Sequence, residues 1–254
     1  MKYDPKKRKS TKKAYTNETF MQSREARWIR VLAELMETEV RLKSQGIRNT
    51  IVFQGSARIN EDDDMFKKNG YDRFYSEAYE LSKQLTEWSE ETFGEDTKKF
   101  HVCTGGGPGI MEAAAKGATD GGGKNVGLGI SLPNEQNNNK YVTPELDFLF
   151  HYFFTRKYWF LYQAKALVMF PGGFGTMDEL FEALTLIQCK KISKPVPTIL
   201  YGKDFWEGLI DWDKFIDAGT VSKEDLDLFK IVDDVDTARD FLVDEITKHY
   251  KLHF

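Results

Sequence analysis

Apolar and polar positions along the chain follow two alternating rhythms. Short apolar runs recur at residues 50–53, 100–103, 125–130, 166–170 and 195–200, with briefer ones within 146–151 and 226–232. Runs of this length, rich in branched residues and bounded by turn residues, predict strands buried on both faces. Between them, apolar residues spaced three and four apart predict helices over 18–43, 66–88, 176–188, 205–215 and 237–251. An Ala-rich stretch at 113–118 and an aromatic one at 153–162 complete the set. Strands taking turns with helices predict an α/β protein: a doubly wound parallel sheet with helices on both faces. No internal repeat and no linker is visible, so residues 18–254 are expected to form a single domain. The first helix carries Phe20, Trp28, Val31, Leu32, Leu35 and Val40, enough to pack on the sheet and on a partner. The segment 153–162 is aromatic on more than one face, which places it in the core or against another subunit.

Charge adds a tail to this picture. Residues 1–13 hold seven Lys/Arg and one Asp, a charge of +6, while the chain as a whole carries −4. Residues 1–17 are therefore expected to be a disordered basic arm on an acidic body. The body shows no basic stripe, which argues against a nucleic-acid partner. The most apolar region, 148–170, is interrupted by His151, Arg156, Lys157, Gln163 and Lys165, so no membrane span is expected. The N-terminus is charged with no apolar stretch behind it, and Cys103 and Cys189 have no ligand-like neighbours. Reduced thiols in a cytoplasmic protein are the expectation, with no metal and no cofactor.

The candidate chemistry lies where strands end. Phe170-Pro171-Gly172-Gly173-Phe174-Gly175-Thr176-Met177-Asp178-Glu179 passes from strand through a tight turn to a helix. Glycines let a ligand approach the main chain, and a helix N-terminus offers free N–H groups to an anion. Thr176 to Glu179 also fits a capping box, which does no more than start a helix. A second glycine turn, Thr104-Gly105-Gly106-Gly107-Pro108-Gly109, follows the 100–103 strand. It matches neither the dinucleotide fingerprint nor the P-loop. Gln54-Gly55-Ser56-Ala57-Arg58 ends the first strand, readable as a phosphate or ribose contact or as a plain turn. The polar loop 132–140, with three consecutive Asn, reads as a lid or as a surface loop. Arg156-Lys157 inside an apolar helix calls for an anion: an internal carboxylate, a bound phosphate or a catalytic carboxylate.

Gly105-Gly106-Gly107-Pro108-Gly109-Ile110-Met111-Glu112, Arg156-Lys157 and the Pro171–Glu179 motif together resemble the LONELY GUY family of cytokinin riboside 5′-monophosphate phosphoribohydrolases. Many of its members carry the older label "possible lysine decarboxylase". The resemblance covers roughly residues 50 to 245. Leu132-Pro133-Asn134-Glu135-Gln136 and Phe181-Glu182-Ala183-Leu184-Thr185-Leu186-Ile187-Gln188 look like its longer bacterial branch. It implies a Rossmann-like fold, a homodimer or larger homo-oligomer, and hydrolysis of a nucleoside 5′-monophosphate such as AMP or N6-modified AMP. Arg156 and Glu179 would be the catalytic pair. Ser56, Gly106, Gly107, Glu135, Lys157, Gly172, Gly173, Gly175, Thr176, Asp178 and Thr185 would bind substrate. Two positions depart from the compact members: Gln54 replaces a small or sulfur residue, and Glu112 replaces glycine. Both bear on substrate preference. A non-catalytic nucleotide-binding module is the competing reading, because phosphate loops alone do not make an enzyme.

Overall fold

The computed structural model describes residues 11–250 apart from 61, 63, 95, 97 and 133–136. Its helices are α1 (Glu18–Met21), α2 (Arg27–Ser44), α3 (Asp64–Asn69), α4 (Arg73–Phe93), α5 (Ile110–Asp120), α6 (Phe153–Gln163), α7 (Phe174–Gln188), α8 (Lys203–Leu209), α9 (Trp212–Asp217) and α10 (Val235–Tyr250). Its strands are β1 (Asn49–Gln54), β2 (Phe100–Thr104), β3 (Asn125–Ile130), β4 (Asp147–Phe150), β5 (Ala164–Met169), β6 (Thr198–Tyr201) and β7 (Lys230–Val232). All seven pair in parallel, in the order β4-β3-β2-β1-β5-β6-β7. The chain winds one way from β1 to β4, then returns to the other side of β1 with β5. The reversal falls between β1 and β5, the place where open α/β sheets bind ligands outside the carboxyl ends of their strands.

Alternate residues of each central strand feed two cores. Ile51, Phe53, Val102, Ala166 and Val168 face α4, α5 and α10, joined by Phe74, Leu81, Ala114 and Leu242. Val52, Cys103, Leu167 and Met169 face the other way, joined by Leu42, Trp159, Phe160, Leu180 and Trp206. Burial on both faces is why these strands read as continuous apolar runs. Among the described residues no helix is long and apolar enough to cross a membrane. Cys103 is buried, Cys189 is exposed, and both are free.

Several helices break where a single helix is expected. The run over 66–88 splits because Gly70, at φ +70°, closes α3: Tyr71 N–H donates to Phe66 O and Gly70 N–H to Lys67 O. The run over 205–215 splits at Asp211, whose carboxylate accepts from Lys214 N–H and caps α9. Residues 18–43 divide into α1 and α2, with Arg30 donating from α2 to Met21 O and Ser23 O. Structure also starts inside the stretch expected to be a tail, with a 3-10 turn at Ala14–Thr16. The aromatic helix α6 is only half buried: Trp159 and Phe160 enter the core, while Phe153, Phe154, Tyr158 and Tyr162 are exposed.

Candidate active site

A cleft of about 870 Å³ opens over the carboxyl ends of β1, β2 and β5. Three loops build it, and backbone hydrogen bonds lace them together. Ser56 N–H, after β1, donates to Pro171 O after β5, and Ile110 N–H, after β2, donates to Ser56 O. Gly109 sits at φ +67°, where an added Cβ would collide with Ser56 O. Glycine is needed there for backbone conformation and for close packing alike.

The turn after β5 bears on the capping-box reading of Thr176 to Glu179. Helix α7 starts at Phe174, with Gly173 as its N-cap and no side-chain cap. Thr176 is thus inside the first turn, and the expected capping box does not form. The hydroxyl of Thr176 fills the space that a Cβ on Gly172 would occupy, while Gly173 and Gly175 face open space. A bare, uncapped helix N-terminus lies at the cleft wall, and its N–H groups and dipole favour an anion. Phe174 projects from the turn, 95% exposed.

Freed from capping, Glu179 points into the cleft, where Arg156 Nη2 donates to its Oε1 at 3.3 Å. The pair is buried, with 12% and 7% of the two side chains exposed. Phe153 and Phe160 lie under the guanidinium at 5.0 and 5.5 Å, adding cation–π contacts to the carboxylate. Burial raises the Glu179 carboxyl from its ordinary 4.5 to about 7, against the opposing pull of Arg156 and Lys157. Complete burial, and to a lesser degree the same carboxylate, push the Cys103 thiol up.

Of the residues singled out in the sequence, the cleft brings together Ser56, Gly107, Arg156, Gly172, Gly173, Gly175, Thr176 and Glu179. Gly106 underlies the second glycine turn at φ +71°. Lys157 lies on the far side of α6, where its ammonium meets Asp178 at 2.9 Å and Glu182 at 3.0 Å. Burial alone would lower the Lys157 pKa, but the two carboxylates outweigh it and hold the ammonium above its ordinary value. Asp178 is thereby turned away from the cleft, and the Thr185 hydroxyl donates to Phe181 O on the outer face of α7. Glu135 lies outside the described residues.

Two cleft features were hidden in the sequence. The Asn run, read as a lid or surface loop, is pinned at its end. Asn139 donates from its backbone N–H to Gly106 O at 2.7 Å, and from its side chain to Gly106 O and Gly107 O at 3.1 and 3.0 Å. Asn138 bonds Asp147 and Phe148 O on β4. The only local signal was residue type, since Asn readily bonds backbone groups. The second feature is an apolar wall, with Met65, Phe66, Met111, Ile130, Leu149, Phe153 and Leu209 drawn from distant parts of the chain.

A family model described as "Possible lysine decarboxylase" matches residues 111–242. A curated rice protein (Oryza sativa subsp. japonica), named "Probable cytokinin riboside 5′-monophosphate phosphoribohydrolase LOG4", is 27% identical over 191 residues, 74% of this chain and 73% of that protein. Two solved structures are similar. One is the structural-genomics target TM1055, 21% identical, with a TM-score of 0.46, covering 77% of this chain and 99% of that one. The other is a Moco carrier protein from Chlamydomonas reinhardtii, 20% identical, with a TM-score of 0.46, covering 79% and 99%.

Proposed function

The chain belongs to the LONELY GUY family, whose model bears the name "possible lysine decarboxylase", and from that membership and the cleft's geometry we propose that it hydrolyses the N-glycosidic bond of a nucleoside 5′-monophosphate. The products are the free base and ribose 5-phosphate. The observation that carries this reading is the buried Arg156–Glu179 pair beside an uncapped helix N-terminus.

The 5′-phosphate sits on the N–H groups at the start of α7, with Gly173 and Gly175 leaving room for its oxygens. That anchors the sugar over Glu179, five residues further into the helix. As the C1′–N bond lengthens, positive charge builds on the ribose ring. The Glu179 carboxylate stabilises that charge and takes a proton from the attacking water. The hydroxyl bonds to C1′, and the base nitrogen leaves with the electron pair of the C1′–N bond and takes up one proton, so that water is added across that bond. Arg156 stays protonated and therefore orients rather than titrates; it fixes the carboxylate by a charge-assisted hydrogen bond. The apolar wall receives the base, and AMP or an N6-modified AMP is the proposed substrate class. The curated rice relative is named for a substrate of the second kind.

The word decarboxylase implies pyridoxal phosphate on a lysine, and the residues here do not fit that group. Among the described residues no lysine lines the cleft. Lys157 is engaged by Asp178 and Glu182, and Lys165 packs over the Tyr250 ring.

The test is release of free base from a panel of nucleoside 5′-monophosphates and the matching nucleosides. Release from monophosphates only is expected, with Glu179→Gln slowing turnover by about 10²–10⁴-fold while nucleotide binding persists. Tight nucleotide binding with no base released from any substrate would replace the enzyme by a binding module.

A further inference from the structure

The floor of the cleft contains a polar group that the proposed chemistry has not used. Gln54 is the last residue of the central strand β1, and only 6% of it is exposed. It lines the cleft, and its side-chain Nε2, itself buried, has no hydrogen-bond partner among the described residues. Its backbone carbonyl is occupied, accepting from Phe170 N–H at 2.8 Å. A buried amide donor left unpaired is destabilising. Glutamine at this place is thus unfavourable for the empty fold.

Strand geometry fixes which way Gln54 points. Side chains alternate along β1: Ile51 and Phe53 enter one core and Val52 the other. Gln54 therefore shares the face of Val52, on which α6 and α7 pack. Val52 pairs in register with Cys103, which lies close enough to Glu179 for the carboxylate to raise its thiol pKa. One step further along β1, on the same face, is Gln54, beside Met169. The carboxamide thus lies at the level of the Arg156–Glu179 pair and below the phosphate-binding turn. With phosphate at the start of α7 and the reacting carbon against Glu179, the group that reaches this floor is the sugar ring.

We propose that Gln54 is a substrate contact that selects the sugar: its carboxamide hydrogen-bonds a ring hydroxyl of the ribose. A half-turn about the terminal bond exchanges its donor and acceptor, so it can serve a hydroxyl in either sense. This inference rests on the phosphoribohydrolase reading for the placement of the sugar. It adds discrimination between ribose and deoxyribose, because a polar group buried to meet a hydroxyl is left unpaired by a ligand that lacks it.

The probes are ribose 5-phosphate and its 2-deoxy and 3-deoxy analogues, none of which has a glycosidic base to lose. Calorimetry on the full chain measures their binding to wild type and to Gln54→Met. Wild type is expected to bind ribose 5-phosphate at least about tenfold more tightly than one of the deoxy sugars, and Gln54→Met to abolish most of that ratio. The variant removes an unpaired donor and keeps similar volume, so its Tm is expected to hold or rise. An unchanged ratio, equal weakening of all three sugars, a fall in Tm, or no sugar phosphate bound by wild type would each overturn the proposal. Base release is scored separately. Discrimination without turnover would keep Gln54 and discard the hydrolase; turnover without discrimination would do the reverse.

Discussion

Glu179 couples the chemistry of the cleft to the stability of the fold. Its carboxyl is raised by burial to about 7 in the folded chain, against 4.5 ordinarily. Between those values the folded protein holds a proton that the unfolded chain has released. Stability therefore falls as pH rises through about 4.5 to 7, by up to about 3 kcal/mol, and is fully present only below that window. Glutamine cannot ionise, so Glu179→Gln should flatten this part of the pH profile. Denaturant melts at pH 5 and pH 8 check it, and an identical slope in both proteins would remove the premise. Catalysis runs in the opposite sense. The carboxylate is the active form, so kcat/KM should rise through pH ~7 and then level off, as read from the pH dependence of base release. Gly173 offers a cleaner dissection of binding. Its φ of −93° suits any residue, and a Cβ there meets nothing. Gly173→Ala should fold normally yet place a methyl where phosphate oxygens belong, weakening binding of ribose 5-phosphate by about tenfold or more. Unchanged affinity would move the phosphate elsewhere.

Helix α6 carries Arg156 and is held at its start by a residue from another helix. Tyr152, its N-cap, supplies no side-chain cap. Instead Glu34 of α2 accepts from His151 N–H at 2.8 Å, from Tyr152 N–H at 3.4 Å and from the Thr155 hydroxyl at 2.6 Å. A carboxylate at a helix N-terminus also complements the dipole. Glu34→Ala should cost about 1–2 kcal/mol in denaturant melts and lower kcat by loosening the first turn, just ahead of Arg156. Glu34→Gln, which keeps one of the two acceptor oxygens, should recover part of both; failure of the alanine variant to change either would mean that α6 is fixed by packing alone. Such a cap was not legible in the sequence, where Glu34 is one of many charged helix positions and its partners lie more than a hundred residues away. What was legible was periodic. All seven strands and the main helices follow from apolar runs and helical spacing, because burial on two faces or one writes itself into the pattern. The breaks at Gly70 and Asp211 were missed because the apolar spacing continues across them. Thr176 to Glu179 gave a false local signal: the sequence fits a capping box, but the two preceding glycines start the helix three residues earlier. The glycine turns announced themselves and Gln54 stood out as a departure from the family pattern, whereas its burial and the Asn139 clamp come only from neighbours that the fold supplies.

At the scale of the molecule, the order of the sheet places both glycine turns and the Arg156–Glu179 pair at one end, and leaves α2 and α6 with apolar surface on the flank. Val31, Thr38 and Leu42 turn the buried stripe of α2 to the body, while Trp28, Leu32, Met36 and Val40 form a second stripe that is exposed. Phe154, Tyr158 and Tyr162 of α6 are exposed too, and Met36, Tyr158 and Tyr162 border one shared groove. A monomer rarely leaves so many large apolar side chains together in water. The homodimer implied by the family resemblance gives this face an occupant of matching chemistry, a second copy of the same flank related by a twofold axis. It would also account for the aromatic character of α6, which the core of one chain satisfies only on the side of Trp159 and Phe160. The expected solution mass is therefore at least twice the 29.3 kDa of the chain. Met36→Asp with Tyr158→Asp should reduce it to one copy, since two carboxylates cannot be buried unpaired against the same apolar stripe. Both positions are exposed in the single chain, so circular dichroism should be unchanged. Light scattering after size exclusion decides the matter. A monomeric wild type, or a double variant that keeps its mass, would assign the stripe to something other than self-association and leave the cleft complete within one chain.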